Sequence, residues 1–191
     1  MSWTASLKST LSARNRHEIT LSENPRFARS AVLVLLFPYE SGLQTLLTKR
    51  TDSVDTHKSQ ISFPGGMMEK SDKDAVHTAL REAQEEIGLD PADLEILGLL
   101  DDLAVPSQYV ITPVVVYSRT HPIVTPNPVE VAEVFDVPLA FFMDEKNCWT
   151  EERTFRGVAH KLWFYAYGNH TIWGATAAII RNLVLLMATA P

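Results

Sequence analysis

Residues 65–89, GGMMEKSDKDAVHTALREAQEEIGL, set a Gly-Gly turn ahead of a helix whose acidic residues crowd its C-terminal end. Glu82, Glu85 and Glu86 lie three and four residues apart, so they share one helical face. They fall in the last turns before Gly88, where the helix dipole is negative and each added negative charge costs roughly 0.3–1 kcal/mol. A helix shaped by stability alone carries such residues in its first turn. Three carboxylates at the unfavourable end ask for a cation, and oxygen ligands on one face suit a hard ion such as Mg²⁺ or Mn²⁺. The glycine pair lets backbone come close to that ion, which makes the Gly66 carbonyl a further candidate ligand. The competing reading is a solvated acidic face with Arg81 paired to Glu85. Arginine placed N-terminal to glutamate at i,i+4 is the weaker orientation, so that pair compensates little.

The surrounding pattern frames this helix. AVLVLLF (31–37) is a continuous apolar run, the mark of a central strand covered on both faces. LQTLLTKR (43–50) returns from it as a hairpin. Residues 5–16 read as a helix, 17–29 as irregular and 51–60 as a polar loop, with a short strand at 61–63. The acidic helix is expected over 73–87, with Ser71 or Asp72 as N-cap and Gly88 as its stop. Strands are expected at 94–103 and 109–118. VEVAEVF (129–135), VPLAFF (137–142), a Cys148 loop, a hairpin through 153–157 and 160–167, and a helix over 174–188 follow. Several connections are too short for parallel crossovers, so the expected fold is α/β, a mixed sheet between helices on both faces. The 191 residues fit one domain with an N-terminal extension of about 29 residues.

Bulk properties exclude several classes. A net charge of −6 disfavours nucleic acid as a partner, because phosphate-backbone binding needs a basic surface. Cys148 is the one cysteine, so no internal disulfide forms and no thiolate zinc cluster exists; a reducing, cytoplasmic setting is expected. Residues 1–17 hold Lys8, Arg14 and Arg16 and no acid, and read as an amphipathic first helix rather than a transit segment. Residues 172–188 are apolar, but Arg181 stands in their middle, so a buried helix is favoured over a membrane span.

The run Arg81-Glu82-Ala83-Gln84-Glu85-Glu86-Ile87-Gly88-Leu89 resembles, without a gap, the second half of the Nudix box of the Nudix hydrolases, here spanning 66–89. The first half departs from that pattern. Counting from Gly66, the acidic position is Asp72 rather than glutamate, and one extra residue precedes Arg81, so Asp72 is expected to act mainly as a helix cap. LLTKR (46–50), then HKSQISFPGG (57–66), resembles the additional motif of the coenzyme A pyrophosphatase branch, as does WGATAAIIRNL (173–183).

The resemblance implies a Nudix fold and metal-dependent hydrolysis of the diphosphate of coenzyme A or a derivative, giving 3′,5′-ADP and 4′-phosphopantetheine. The alternatives are another nucleoside diphosphate derivative, such as ADP-ribose or a dinucleotide, or a nucleotide-sensing module without turnover. Glu82, Glu85 and Glu86 are the candidate metal ligands, with Gly66. Glu82, Glu85 or the more distant Glu130 is the candidate base, and Glu133 is a remoter one. Arg81 is expected to orient a metal-binding carboxylate. Lys49, Arg50, His57, Lys58 and Gln60 are candidate substrate contacts, and Asp101 and Asp102, at a strand end, are further candidates for facing the site. Trp173 is expected to pack against the last helix, and a homodimer stays open.

Overall fold

The computed structural model describes residues 3–23, 26–40, 42–51, 60–155 and 157–189. Its centre is strand β1 (Ala28–Tyr39), which runs parallel to β7 (Tyr109–Ser118) and antiparallel to β2 (Gly42–Arg50). The apolar run of β1 has both of its faces covered. Val34 and Leu36 enter one core with Leu7 and Leu11 of α1 (Trp3–Ala13) and Ile180 and Leu183 of α4 (Gly174–Thr189). Leu33, Leu35 and Phe37 enter a second core with Ala79, Ala83 and Ile87 of α2 (Ala75–Ile87). A period-two strand between two helical layers needs apolar residues at every position, which is why the sequence shows no alternation there.

Among the described residues the large sheet has eight strands in the order β3-β2-β1-β7-β5, with three attached to its flanks. β3 (Ile61–Ser62) pairs with β2, and β5 (Leu94–Leu99) with β7. Of the attached strands, β4 (Gly65–Met67) pairs with β1, β6 (Leu103–Val105) with β7, and β8 (Val131–Pro138) with β2. The short helix α3 (Leu139–Met143) follows β8, and β9 (Cys148–Phe155), β10 (Val158–Tyr167) and β11 (His170–Trp173) form a separate three-stranded sheet. The sheet is mixed and covered on both faces, as the sequence predicts.

Three local expectations change. The strand expected over 94–103 breaks into β5 and β6, because Asp101 and Asp102 turn to hold the segment after α1. Asp101 accepts from Arg14 (3.0 Å) and the His17 N–H (2.7 Å); Asp102 accepts from Arg16 (2.7 Å), the Ile19 N–H (3.0 Å) and Thr112 (2.7 Å). These two aspartates therefore fasten the N-terminal segment to the sheet and do not face the acidic helix. Helix α2 starts at Ala75 rather than Lys73. Its N-cap is Asp74, which accepts from the His77 N–H at 2.8 Å; neither Ser71 nor Asp72 caps it. Strands β4 and β11 are too short for a periodicity signal. His57 and Lys58 lie outside the described residues. Among those described, no helix is long and apolar enough to cross a membrane. In α4, Arg181 leaves the apolar face to pair with Glu145 at 2.6 Å.

Candidate active site

Helix α2 ends where the sequence places its stop. Gly88 takes a left-handed φ of 64° and returns its N–H to the Gln84 carbonyl, a conformation that suits glycine. The loop after β7 then closes over this end. The Thr125 N–H donates to the Ile87 carbonyl (2.7 Å) and the Asn127 N–H to the Glu86 carbonyl (2.8 Å). Backbone donors thus satisfy carbonyls that the helix leaves unpaired. The same loop delivers Glu130, whose carboxylate accepts from the Asn127 side chain at 3.4 Å.

Glu86 is buried. Its two oxygens accept the Gly65 N–H at 3.1 Å and an Arg50 N–H at 3.2 Å. Burial is the largest influence on this carboxyl and lifts it from 4.5 to about 7; the Gly65 N–H and Arg50 oppose the rise, and the charges of Glu82 and Glu130 add to it. Glu82 is half-buried, and desolvation raises it too, against the pull of Arg81. Its carboxylate lies directly on Gly66: a β-carbon there would sit 2.4 Å from Glu82 Cδ. Glycine at 66 is thus a requirement for close approach, and it sets Glu82 against the same turn that touches Glu86.

All five N–H groups of Arg81 are engaged. Nε and Nη2 clasp the two oxygens of Asp72 at 3.1 and 3.0 Å; Nη2 also reaches the Met67 carbonyl at 3.0 Å. Nη1 reaches Glu82 at 2.9 Å and Glu85 at 3.1 Å. The paired bonds to Arg81 hold the buried Asp72 carboxyl well below the usual range, helped by the Glu69 N–H, the His77 ring and the Thr78 hydroxyl. Asp72 is therefore an anchor for Arg81 and not a helix cap. The shorter side chain and the extra residue in the loop together bring a carboxylate to the guanidinium. The signal was present as an acid nine positions before Arg81, but no helical spacing connects the two.

Among the described residues, no three acidic, thiol or imidazole groups converge into a ready cluster. Glu85 is drawn toward Arg81 and is more than half exposed. Glu82 and Glu86 remain the pair beside the glycine turn. Two poorly solvated carboxylates against backbone fit Mg²⁺, which keeps several waters and takes one or two carboxylates with substrate oxygens. Glu133 belongs elsewhere: it stands on β8 beside His170, 3.3 Å away.

A cleft of about 780 Å³ opens beside this turn, within the range of roughly 300–1,000 Å³ for small-molecule sites. Arg50, Gln60, Gly65 and Gly66 line it on one side, and Trp173 and Thr176 on another. Lys49, on the opposite face of β2 from Arg50, is not among its lining residues. Trp173 lines the cleft and stacks on Phe164, its partner across β10 and β11, with ring centroids 6.0 Å apart.

Residues 28–156, which hold the turn, the acidic helix and the sheet that presents them, match the family model described as the NUDIX domain. The chain belongs to the Nudix family. It is 40% identical over 172 residues to Nudix hydrolase 15, mitochondrial, of Arabidopsis thaliana, covering 84% of this chain and 60% of that protein. It thus spans less than two thirds of that plant relative. It is 36% identical over 163 residues to the Nudix hydrolase NudL of Photorhabdus laumondii, covering 85% of this chain and 86% of that one. The Nudix fold itself is matched by the crystal structure of RenU, a Nudix hydrolase from M. smegmatis, with a TM-score of 0.58 at 20% identity over 87% of this chain and 88% of the other.

Proposed function

We propose that this Nudix chain hydrolyses the diphosphate linkage of coenzyme A or its derivatives in the presence of Mg²⁺ or Mn²⁺, releasing 3′,5′-ADP and 4′-phosphopantetheine. One observation carries the choice of substrate. The segments that resemble the coenzyme A pyrophosphatase branch, 46–50 with 57–66 and 173–183, are far apart in sequence, yet Arg50, Gln60 and Ile61 from the first and Trp173 and Thr176 from the second line one cleft, and Thr176 donates its hydroxyl to the Ile61 carbonyl at 3.0 Å. Their convergence beside Glu82 and Glu86 is what a substrate site needs and what two unrelated packing motifs do not.

The chain's own residues divide the work. Glu86 and Glu82, with the Gly66 carbonyl, would hold the divalent ion. When bound, that ion neutralises the diphosphate and acidifies a water. Arg81, fixed by Asp72, orients Glu82 and Glu85. Arg50 holds Glu86, and its buried Nε has no hydrogen-bond partner among the described residues, which leaves a donor for a phosphate oxygen. Glu130, brought alongside by the loop that caps α2, is the candidate base, with Glu82 and Glu85 as the others. His57, Lys58 and Gln60 complete the substrate contacts in this reading.

The test is a panel of coenzyme A, ADP-ribose and a dinucleotide assayed with Mg²⁺ and with Mn²⁺, with products identified. Turnover of ADP-ribose or the dinucleotide without turnover of coenzyme A replaces the substrate. Tight binding of coenzyme A without release of 3′,5′-ADP replaces catalysis with sensing. Retention of Glu82, Glu85 and Glu86 argues against the sensor, since a non-catalytic relative gains nothing from three mutually repelling carboxylates.

A further inference from the structure

The walls of the cleft carry charge in an uneven way. Among the described residues that line it there is no carboxylate, and the basic side chains are Arg50, His160 and Lys161. Arg50 is engaged with Glu86, at the end where the diphosphate would be cleaved. His160 and Lys161 stand on β10 in the other sheet, and the wall between holds apolar residues such as Val32, Ile61 and Ile111. Lys161 places its ammonium 5.7 Å from the centroid of Trp163, which also carries the Arg181 guanidinium at 5.1 Å. Glu152 is its neighbour in register across β9, yet no ion pair joins them among the described residues. An aromatic face holds a cation in place without neutralising it. The first turn of α4, from Gly174 to Thr176, lines the same cleft, and a helix start adds partial positive charge.

We propose that Lys161, with His160 beside it, forms a second anion subsite that takes a phosphate monoester separate from the scissile diphosphate. In coenzyme A this group is the ribose 3′-phosphate. The inference rests on the coenzyme A reading and adds to it the residues that select for that phosphate. It places this task on the hairpin of the facing sheet, away from Arg50, which is engaged with Glu86. A phosphate monoester carries between one and two negative charges at neutral pH, and burying it against apolar walls needs a cation within reach. Lys161 meets that need: it lines the cleft, and among the described residues no carboxylate is paired with it.

The experiment deletes the side chain on one axis and the phosphate on the other. kcat/KM is measured for coenzyme A and for dephospho-coenzyme A, which lacks the 3′-phosphate, in the wild type, K161A, K161R and H160A. The wild type prefers coenzyme A. In K161A the ratio of the two values falls about tenfold, the size of one charge-assisted contact. K161R recovers most of the ratio, and H160A lowers it by less. A merely structural role for Lys161 would reduce both substrates together and leave the ratio alone. An unchanged ratio in K161A, or equal turnover of both compounds by the wild type, overturns the subsite while leaving the hydrolase reading intact. Turnover of neither compound by the wild type removes the coenzyme A reading, and the subsite with it.

Discussion

Replacing Glu86 by glutamine should stabilise the protein in chelator and destroy its turnover. The carboxyl is buried and pushed from 4.5 to about 7, chiefly by desolvation. At 1.36 kcal/mol per decade, a rise of this size makes the ionised form cost the folded state about 3 kcal/mol. The sign follows from the proton count. The folded state keeps its proton up to about pH 7, and the unfolded chain loses it near 4.5. Stability is therefore unaffected below 4.5, declines through the interval between, and is fully reduced above 7. Glutamine keeps an acceptor for the Gly65 N–H, and the attraction of Arg50 that it forgoes is already contained in the net rise of the carboxyl. The net gain at pH 8 is about 3 kcal/mol, or roughly 6–12 °C in Tm for a chain of this size. Thermal unfolding in EDTA at pH 5, 6.5 and 8 reads it directly, with the gain shrinking as pH falls. Adding Mg²⁺ should reverse the order, because ligand at about 1,000 times its Kd stabilises the wild type by about 4.1 kcal/mol. A variant less stable than wild type at pH 8 in chelator, or a difference independent of pH, would refute the electrostatic argument.

Asp72→Asn removes the anchor of Arg81 and turns an amide donor toward a guanidinium; breaking a buried ion pair costs about 3–5 kcal/mol, so Tm should fall by about 10 °C or more. Because the Asp72 carboxyl is depressed, that contribution is present above its ordinary range near 3.8 and is lost as pH falls below it, so the two proteins should converge in acid unfolding. Gly66→Ala and Gly65→Ala should separate activity from stability. At 66 the new carbon meets the end of the flexible Glu82 side chain, so the fold persists while turnover drops about 100-fold through misplacement. At 65 it meets backbone, 2.3 Å from the Ala31 carbonyl oxygen and 2.7 Å from Val32 Cα, so Tm itself should drop by many degrees. Equal thermal losses in the two variants would show that the glycine turn acts only through packing.

What was legible in the sequence was whatever local geometry dictates. The continuous apolar run of β1, the hairpin into β2, the acidic face of α2 and the glycine at its end all follow from periods of two and 3.6 and from which residues tolerate a left-handed backbone. The place of Glu85 and Glu86 in the last turn of the helix, where added negative charge is unfavourable, is what pointed to a cation. Less was legible wherever partners are distant in sequence. Asp72 reads as a cap by its place before the helix, and only the fold shows its carboxylate clasped by Arg81. Asp101 and Asp102 read as site candidates, and only the fold sets the N-terminal arginines on them. Glu133 faces His170, while the loop after β7 that caps α2 brings the charge of Glu130 within range of Glu82 and Glu86. Charges act through space and side chains choose among all neighbours, so spacing along the chain names the groups capable of the chemistry. Tertiary packing decides which of them are buried, which are neutralised and which are left to meet a ligand.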